Sequence, residues 1–317
     1  MSGEASYRAR SVKGMRDLLP PETELWAAVE ETAREVFRRY GFEEIRTPIV
    51  EETELFVRSV GGSTDIVGKE MYTFADRRGK SLSLRPETTA SVARAFAQHG
   101  LANRPLPLRL FYIGPQFRYE RPQRGRYRQF HQIGAEVLGD AGPWSDAELV
   151  VMLVRFFEAL GFEQLEAIVN TVGDEASRAV YRERLVAYLE PLADRLGEDS
   201  RRRLETNPLR ILDTKSPQEQ ELLADAPRLR DALNGESREH FASFLSGLDA
   251  CGVAHRVEDR LVRGLDYYTR TVFEIESSEL GAQSALVGGG RYDGLIEDVG
   301  GPSTPSIGFA IGLDRLV

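Results

Sequence analysis

The chain of 317 residues has a single cysteine, Cys251, so no disulfide framework is possible and a reducing cytoplasm is the expected setting. Its four histidines, His99, His131, His240 and His255, stand far apart, and neither an HExxH nor a paired-cysteine spacing occurs. No dedicated transition-metal site is therefore expected. Long apolar runs are missing too. The longest, Leu149 to Val154, is six residues and far too short to cross a bilayer, so no membrane partner is expected. The first fourteen residues contain no apolar stretch of the kind a secretory signal needs. Net positive charge is absent as well: 41 Lys and Arg against 50 Asp and Glu leave −9, which argues against an unspecific coat for nucleic acid. Gly79-Lys80-Ser81 looks like the end of a phosphate loop, but Phe74 stands where its first glycine is required. Gly288-Gly289-Gly290 lacks the later glycine of a dinucleotide fingerprint and reads as a close backbone approach. Phosphate recognition, if present, falls to arginine side chains, whose planar forks grip phosphate oxygens bidentately.

What is present is a globular balance of 41% hydrophobic and 29% charged residues, in a chain of about two domain equivalents by length. The basic charge is concentrated: Arg118, Arg121, Arg124, Arg126 and Arg128 fall within eleven residues. Glu22 to Tyr40 reads as a helix, with Leu25, Val29, Ala33, Val36, Phe37 and Tyr40 on one face and Gly41 as its stop. Phe42 to Val50 reads as a strand at an edge or interface, because Pro48 cannot donate to a ladder. Strand signals at 71–74 and 82–84 precede a helix over 87–99. Further strands are expected at Leu108–Ile113, Phe117–Glu120 and Phe130–Leu138, with the arginine-rich stretch as the hairpin loop between the last two. Ser145-Asp146-Ala147-Glu148 reads as a capping box opening a helix that ends at Gly161. Composition turns charged and helical from Gly173 to Asn234. A helix at 237–251 then leads back to strand runs at 255–262, 271–275, 285–287 and 306–311. The expected fold is α+β: an antiparallel sheet flanked by helices, discontinuous over 1–172 and 236–317, with a helical insertion at 173–235.

The ordered motifs carry a resemblance. Phe117-Arg118-Tyr119-Glu120, the arginine loop and Arg128-Gln129-Phe130-His131-Gln132 resemble motif 2 of class II aminoacyl-tRNA synthetases. Gly308-Phe309-Ala310-Ile311-Gly312-Leu313-Asp314-Arg315-Leu316 resembles motif 3, and the helix at 22–40 with Pro48 resembles the dimer-forming motif 1. Leu261-Val262-Arg263-Gly264-Leu265-Asp266-Tyr267-Tyr268 and Gly289-Gly290-Arg291-Tyr292-Asp293-Gly294 are similar to segments peculiar to histidyl-tRNA synthetases. So are Lys13-Gly14-Met15-Arg16-Asp17 and Arg85-Pro86-Glu87-Thr88-Thr89.

This resemblance implies ATP-dependent activation of histidine to histidyl-adenylate and transfer to tRNA(His), by a cytoplasmic homodimer. It implies that Arg118 contacts the α-phosphate and the substrate carboxylate and that Arg126 reaches the outer phosphates. Glu120 would hold the adenine end, with Phe130 and Arg315 sandwiching the ring. Arg263 would be a catalytic cation at the α-phosphate, where many relatives use a metal; Mg2+ would accompany the polyphosphate. Glu87, Thr89 and Gln132 would hold the histidine ammonium group, Glu136 and Tyr268 the imidazole, and Tyr292 the pocket wall. Tyr267 and Tyr268 are expected to alternate across a strand, with Tyr268 facing the pocket. His131 is expected to face away from Gln132. Gln123 and Arg128 of the loop are the expected contacts to the tRNA acceptor end. The family carries an anticodon-binding domain after motif 3, and a chain stopping at Val317 is expected to be a catalytic portion without it. The alternative is the histidine-sensing regulatory subunit of ATP phosphoribosyltransferase, a paralogue with no need of the full arginine set.

Overall fold

The computed structural model describes residues 8–61, 64–123, 125–214, 216–262, 265, 267–280 and 285–317. The first half runs α1 (Glu22–Arg39), β1 (Glu43–Glu44), β2 (Val50–Glu52), α2 (Thr53–Phe56), β3 (Thr73–Ala75), β4 (Ser81–Leu84), α3 (Thr89–Gln98), β5 (Leu108–Phe117), β6 (Gln129–Leu138) and α4 (Pro143–Ala159). The second runs β7 (Leu165–Thr171), α5 (Glu175–Leu189), α6 (Glu198–Thr206), α7 (Pro217–Leu222), α8 (Gly235–Ala250), β8 (His255–Val257), β9 (Thr269–Ser277), β10 (Ala285–Arg291), α9 (Leu295–Asp298), β11 (Ser306–Gly312) and α10 (Leu313–Leu316). Eight strands form one sheet in the order β1-β5-β6-β11-β10-β9-β7-β8, and β2-β4-β3 form a small second sheet. The expected antiparallel pairing holds from β5 through β7, whereas β1 lies parallel to β5 and β8 parallel to β7 at the two edges. Among the described residues no helix is long and apolar enough to cross a membrane.

Period-2 alternation gives the central strands two unlike faces. Ile133, Ala135 and Val137 of β6 pair with Ile311, Phe309 and Ile307 of β11, and all are buried in the main core. Phe37 of α1, Phe156 of α4 and Phe244 of α8 belong to that core, and the Phe37 ring meets Phe309 at 5.7 Å. Burying each such side chain contributes about 1.5–3 kcal/mol. The interleaved positions Gln132, Gly134 and Glu136 pair with Gly312, Ala310 and Gly308 and face the other way. Gly308 and Ala310 pair in turn with Gly290 and Gly288 of β10. Small residues thus floor a depression from which only a few polar side chains rise.

Between β7 and α8 the described residues form helices and helical turns, with no strand. Their own core gathers Tyr181, Leu185, Leu189, Ile211, Leu229 and Leu233. The two ends of the segment are tied by their caps. Asp174 accepts from the Ser177 N–H at 2.8 Å, Asn234 accepts from the Ser237 N–H at 2.8 Å, and the Asn234 amide donates to Asp174 at 2.6 Å.

Four local expectations need correction. Phe42 to Val50 is not one strand: β1 joins the large sheet and β2 the small one, with Pro48 in the bend. There the Thr47 carbonyl accepts from Arg85 at 3.1 Å and not from a neighbouring strand. Phe117–Glu120 is not a separate strand either, since β5 continues to Phe117 and the chain leaves the sheet at Arg118. The helix expected at Ser145 begins at Pro143 after Gly142, and Ser145 donates to Asp140 and caps nothing. Leu25 is 53% exposed, and Trp26, at 4%, takes the core position.

Candidate active site

The site is assembled from the start of α3 outward. Arg85 is buried and donates to the Pro115 carbonyl at 2.9 Å and the Thr47 hydroxyl at 3.0 Å, fixing its segment against β5. Two residues on, Glu87 is 4% exposed, and its carboxylate accepts the Ala90 N–H at 3.0 and 3.3 Å at the first turn of α3. Burial pushes the Glu87 carboxyl above its ordinary pKa, while the Ala90 and Thr89 amides and Arg118 pull it back. Arg118 is held from the other side, donating its Nε to the Pro86 carbonyl at 2.9 Å.

Glu136 is fully buried on β6. Its Oε1 accepts from the Thr89 hydroxyl at 2.7 Å and its Oε2 from the Tyr292 hydroxyl. Burial pushes its pKa up to about 8 against the pull of those two hydroxyls. The backbone makes room for it: a Cβ on Gly308 would stand 1.6 Å from Glu136 Oε2. In the same way a Cβ on Gly290 would meet the Tyr268 ring at 2.7 Å, which bears out the close approach read from the three glycines.

Two adjoining cavities open over this floor. One, about 220 Å³, is lined by Glu87, Thr89, Tyr112, Gln132, Tyr267, Tyr268 and Tyr292. The other, about 300 Å³, is lined by Glu120, Arg126, Phe130, His131, Glu274, Asp314 and Arg315. Arg118, Gly288 and Ala310 line both. The Arg118 guanidinium lies 5.3 Å from the Phe130 ring centroid. Arg126 is 66% exposed and pairs with Glu120 at 3.8 Å.

Of the residues given to histidine by resemblance, Glu87, Thr89, Gln132, Tyr268 and Tyr292 line the first cavity, whereas Glu136 lies fully buried behind Thr89 and Tyr292; those given to ATP line the second. Tyr267 and Tyr268 both border the first cavity, because they precede β9 and do not alternate within it. Their rings pack at 4.8 Å, and Tyr267 also meets Tyr292 at 5.6 Å. His131 turns its ring to Trp26 at 5.1 Å, yet it also borders the second cavity. Gln123 and Arg128 line neither cavity. Gln123 is exposed at the loop tip, while the Arg128 guanidinium stacks 3.7 Å over Tyr119 and donates to the Glu120 carbonyl at 3.1 Å. Arg263 lies outside the described residues, as does Arg124.

Several participants were not among the residues singled out in the sequence. Tyr112 and Glu274 border the cavities from β5 and β9, in strands whose pattern reads as core. Arg16 stacks at 4.9 Å on Tyr127 and lies 3.7 Å from Asp314, which accepts the His131 N–H at 2.6 Å. The Lys13–Asp17 motif therefore braces the arginine loop against α10. Arg291, in contrast, sits away from both cavities. It is fully buried, pairs with Asp146 and donates to the Asp140 carbonyl at 2.7 Å. Burial opposes the Asp146 charge, but Arg291 and His240 hold its carboxyl below the ordinary range. Among the described residues no group of three or more His, Cys, Asp or Glu gathers as a metal cage.

A wider groove of about 1480 Å³ runs between α5, α6 and residues 65–70, where four arginines are interleaved with a larger number of carboxylates, Glu175, Glu183 and Glu205 among them. It reaches Leu265 and Tyr268, which also border the first cavity.

Residues 14–316 match the family model described as histidyl-tRNA synthetase. The chain is 56% identical to a histidine–tRNA ligase of Alkalilimnicola ehrlichii over 97% of its own length and 72% of the relative's. It is 53% identical to that of Synechococcus elongatus, over 97% and 71%. The apo histidyl-tRNA synthetase of S. aureus superposes with a TM-score of 0.80 at 38% identity, covering 98% of this chain and 73% of that one. A Bacillus halodurans structure titled as an ATP phosphoribosyltransferase regulatory subunit/histidyl-tRNA synthetase gives 0.71 at 25%, covering 98% and 83%.

Proposed function

Because the chain belongs to the histidyl-tRNA synthetase family, we propose that it is a histidine–tRNA ligase. The histidine carboxylate attacks the α-phosphorus of ATP, forming histidyl-adenylate and expelling pyrophosphate. The terminal hydroxyl of tRNA(His) then attacks the activated carbonyl and AMP leaves. Neither step needs an enzyme nucleophile; both need two anions brought together and charge stabilised at phosphorus. The observation that carries this reading is Arg118, which lines both cavities where they meet.

In this reading Glu87, Thr89 and Gln132 take the ammonium group, Glu136 and Tyr268 the imidazole, and Tyr292 closes the wall. The buried Gln132 Oε1 has no hydrogen-bond partner among the described residues, which suits an acceptor waiting for a cation. Arg118 spans carboxylate and α-phosphate, Arg126 takes the outer phosphates, Glu120 holds the adenine end, and Phe130 and Arg315 hold the ring. Mg2+ enters with the polyphosphate, and the cavity carboxylates Glu120 and Glu274 offer it hard oxygen ligands. Gln123 at the loop tip touches the tRNA acceptor end, while Arg128 supports the loop through Tyr119. Residues 173–235 act as an inserted helical domain within a core formed by 1–172 and 236–317, and the working protein is a cytoplasmic homodimer.

Histidine-dependent ATP–pyrophosphate exchange tests the reading, with Arg263→Ala beside the parent chain. Exchange specific for histidine is expected, and the variant should lose at least about 100-fold in exchange rate while histidine affinity changes much less. Equal losses in both would remove Arg263 from the α-phosphate. The regulatory-subunit alternative has the Bacillus halodurans likeness in its favour. It leaves unexplained why Arg118, Arg126, Phe130 and Arg315 border one cavity beside the first. Histidine binding without any exchange would decide for it.

The dimer rests on α1 and on exposed Leu25, Ile49 and Val50 around Pro48. Light scattering at micromolar protein is expected to give twice the 35.5 kDa chain mass. A stable monomer would rule it out.

A further inference from the structure

Tyr112 is 3% exposed, and its hydroxyl makes no hydrogen bond of acceptable geometry among the described residues. It is nonetheless aimed at the first cavity, which it lines together with Glu87, Thr89 and Gln132. Its ring crosses the backbone of β6 at Gly134, the residue opposite it in register, where a Cβ would stand 2.3 Å from the hydroxyl. A glycine is thus required at 134 for the tyrosine to lie as it does. A buried hydroxyl left without a partner costs about 1–3 kcal/mol, so its retention in a packed wall points to a use.

The polar neighbours of that hydroxyl are Thr89 and Glu136. Thr89 and Tyr292 already donate to the two oxygens of Glu136, and Tyr112 is a third hydroxyl beside the same carboxyl. We infer that Tyr112 is a positioning residue for histidine recognition, completing a three-hydroxyl cradle that biases the Glu136 carboxyl toward its charged form, the form that accepts a ring N–H. This rests on the histidine reading of the cavity given above.

Burial keeps the Tyr112 hydroxyl protonated, with its pKa well above the ordinary value, and Glu136 and Glu87 raise it further. It is therefore a donor throughout the working pH range. The ionisable groups facing Glu136 are Tyr112 from β5, Glu87 from the start of α3, Tyr292 after β10, and Tyr267 ahead of β9. Tyr268 faces Tyr112, and Arg118 faces Glu87. The hydroxyls of Tyr292, Thr89 and Tyr112 are the donors that pull the Glu136 carboxyl back toward its charged form.

Tyr112→Phe keeps the ring and removes only the hydroxyl. In steady-state pyrophosphate exchange it is expected to raise the histidine KM by about 10-fold or more while leaving the ATP KM within about twofold, the size expected for one hydrogen bond to a charged group. The acid limb of kcat/KM for histidine should also move to higher pH than in the parent chain, because Glu136 loses a donor to its charged form. Titration of the free substrate imidazole is common to both proteins and cancels in the comparison. A histidine KM within twofold of the parent with an unmoved limb would overturn the assignment. So would equal losses for histidine and ATP, which a general packing defect produces. Failure of the parent chain itself to exchange would count against the ligase reading, a result separable from any difference between parent and variant.

Discussion

Arg118→Ala is expected to lower kcat/KM for histidine-dependent pyrophosphate exchange by about 100- to 1,000-fold, the loss typical of removing one preorganised donor to a developing oxyanion. Arg118 lines both cavities, so in the proposed reading its guanidinium faces the histidine carboxylate in one and the α-phosphate in the other. It is also preorganised. Its Nε is committed to the Pro86 carbonyl at 2.9 Å, and its plane lies 5.3 Å from the Phe130 centroid, leaving the far end of the fork for ligands. Lysine should not rescue it, since a point charge on a flexible stem cannot keep the Pro86 anchor and span two anions together. Presteady-state adenylate formation is the measurement, because it isolates the chemical step from product release. A variant retaining more than about a tenth of the parent rate would mean that Arg118 is a structural tie between α3 and the loop, worth only about one hydrogen bond.

Glu87→Gln should separate charge from shape. Glutamine keeps an oxygen for the Ala90 N–H, which the carboxylate accepts at 3.0 Å, yet it removes the charge that an ammonium group needs. Histidine affinity measured by calorimetry is expected to fall about 10- to 150-fold, the worth of a charge-assisted hydrogen bond in a desolvated site. Stability should move the opposite way. Burial raises the Glu87 pKa in the fold, so as pH rises the unfolded chain releases this proton before the native one does. The native state then binds more protons, and stability falls with rising pH through that window. The glutamine variant escapes this loss, so its Tm at pH 7 should equal or exceed that of the parent. Unchanged histidine affinity would take Glu87 out of the ammonium site, whatever happened to Tm.

These two effects show how unequally the site could be read in advance. Arg118, Glu120, Arg126, Phe130 and Gln132 follow one another in a single hairpin, and their order announces them before any fold is known. Tyr112 gives no such signal. It stands in Leu110-Phe111-Tyr112-Ile113, a run of side chains that reads as core, and only the register Tyr112 to Gly134 turns its hydroxyl into the cavity. Glu274 is hidden in the same manner inside Thr271–Ile275. Tyr267 departs from the expected alternation for a different reason: it lies ahead of β9, where the period-2 pattern does not hold. The Ser145 capping box failed because Asp140 competes for the hydroxyl and Pro143 starts the helix earlier.

The sequence by itself determined the strands of β6 and β11, the helical character of 173–235 and the clustering of arginines in the loop before β6. Each is a local property, set by residue spacing or by the chemistry of a side chain. Only the tertiary structure decided that the Phe42–Val50 run divides between two sheets, that Arg291 is spent on Asp146 and that the Thr89 and Tyr292 hydroxyls both donate to Glu136. Those depend on strand order and register, which place residues 156 positions apart, Glu136 and Tyr292, in hydrogen-bond contact. No spacing along the chain encodes such a pairing, because long-range register is fixed by burial of the whole apolar face at once.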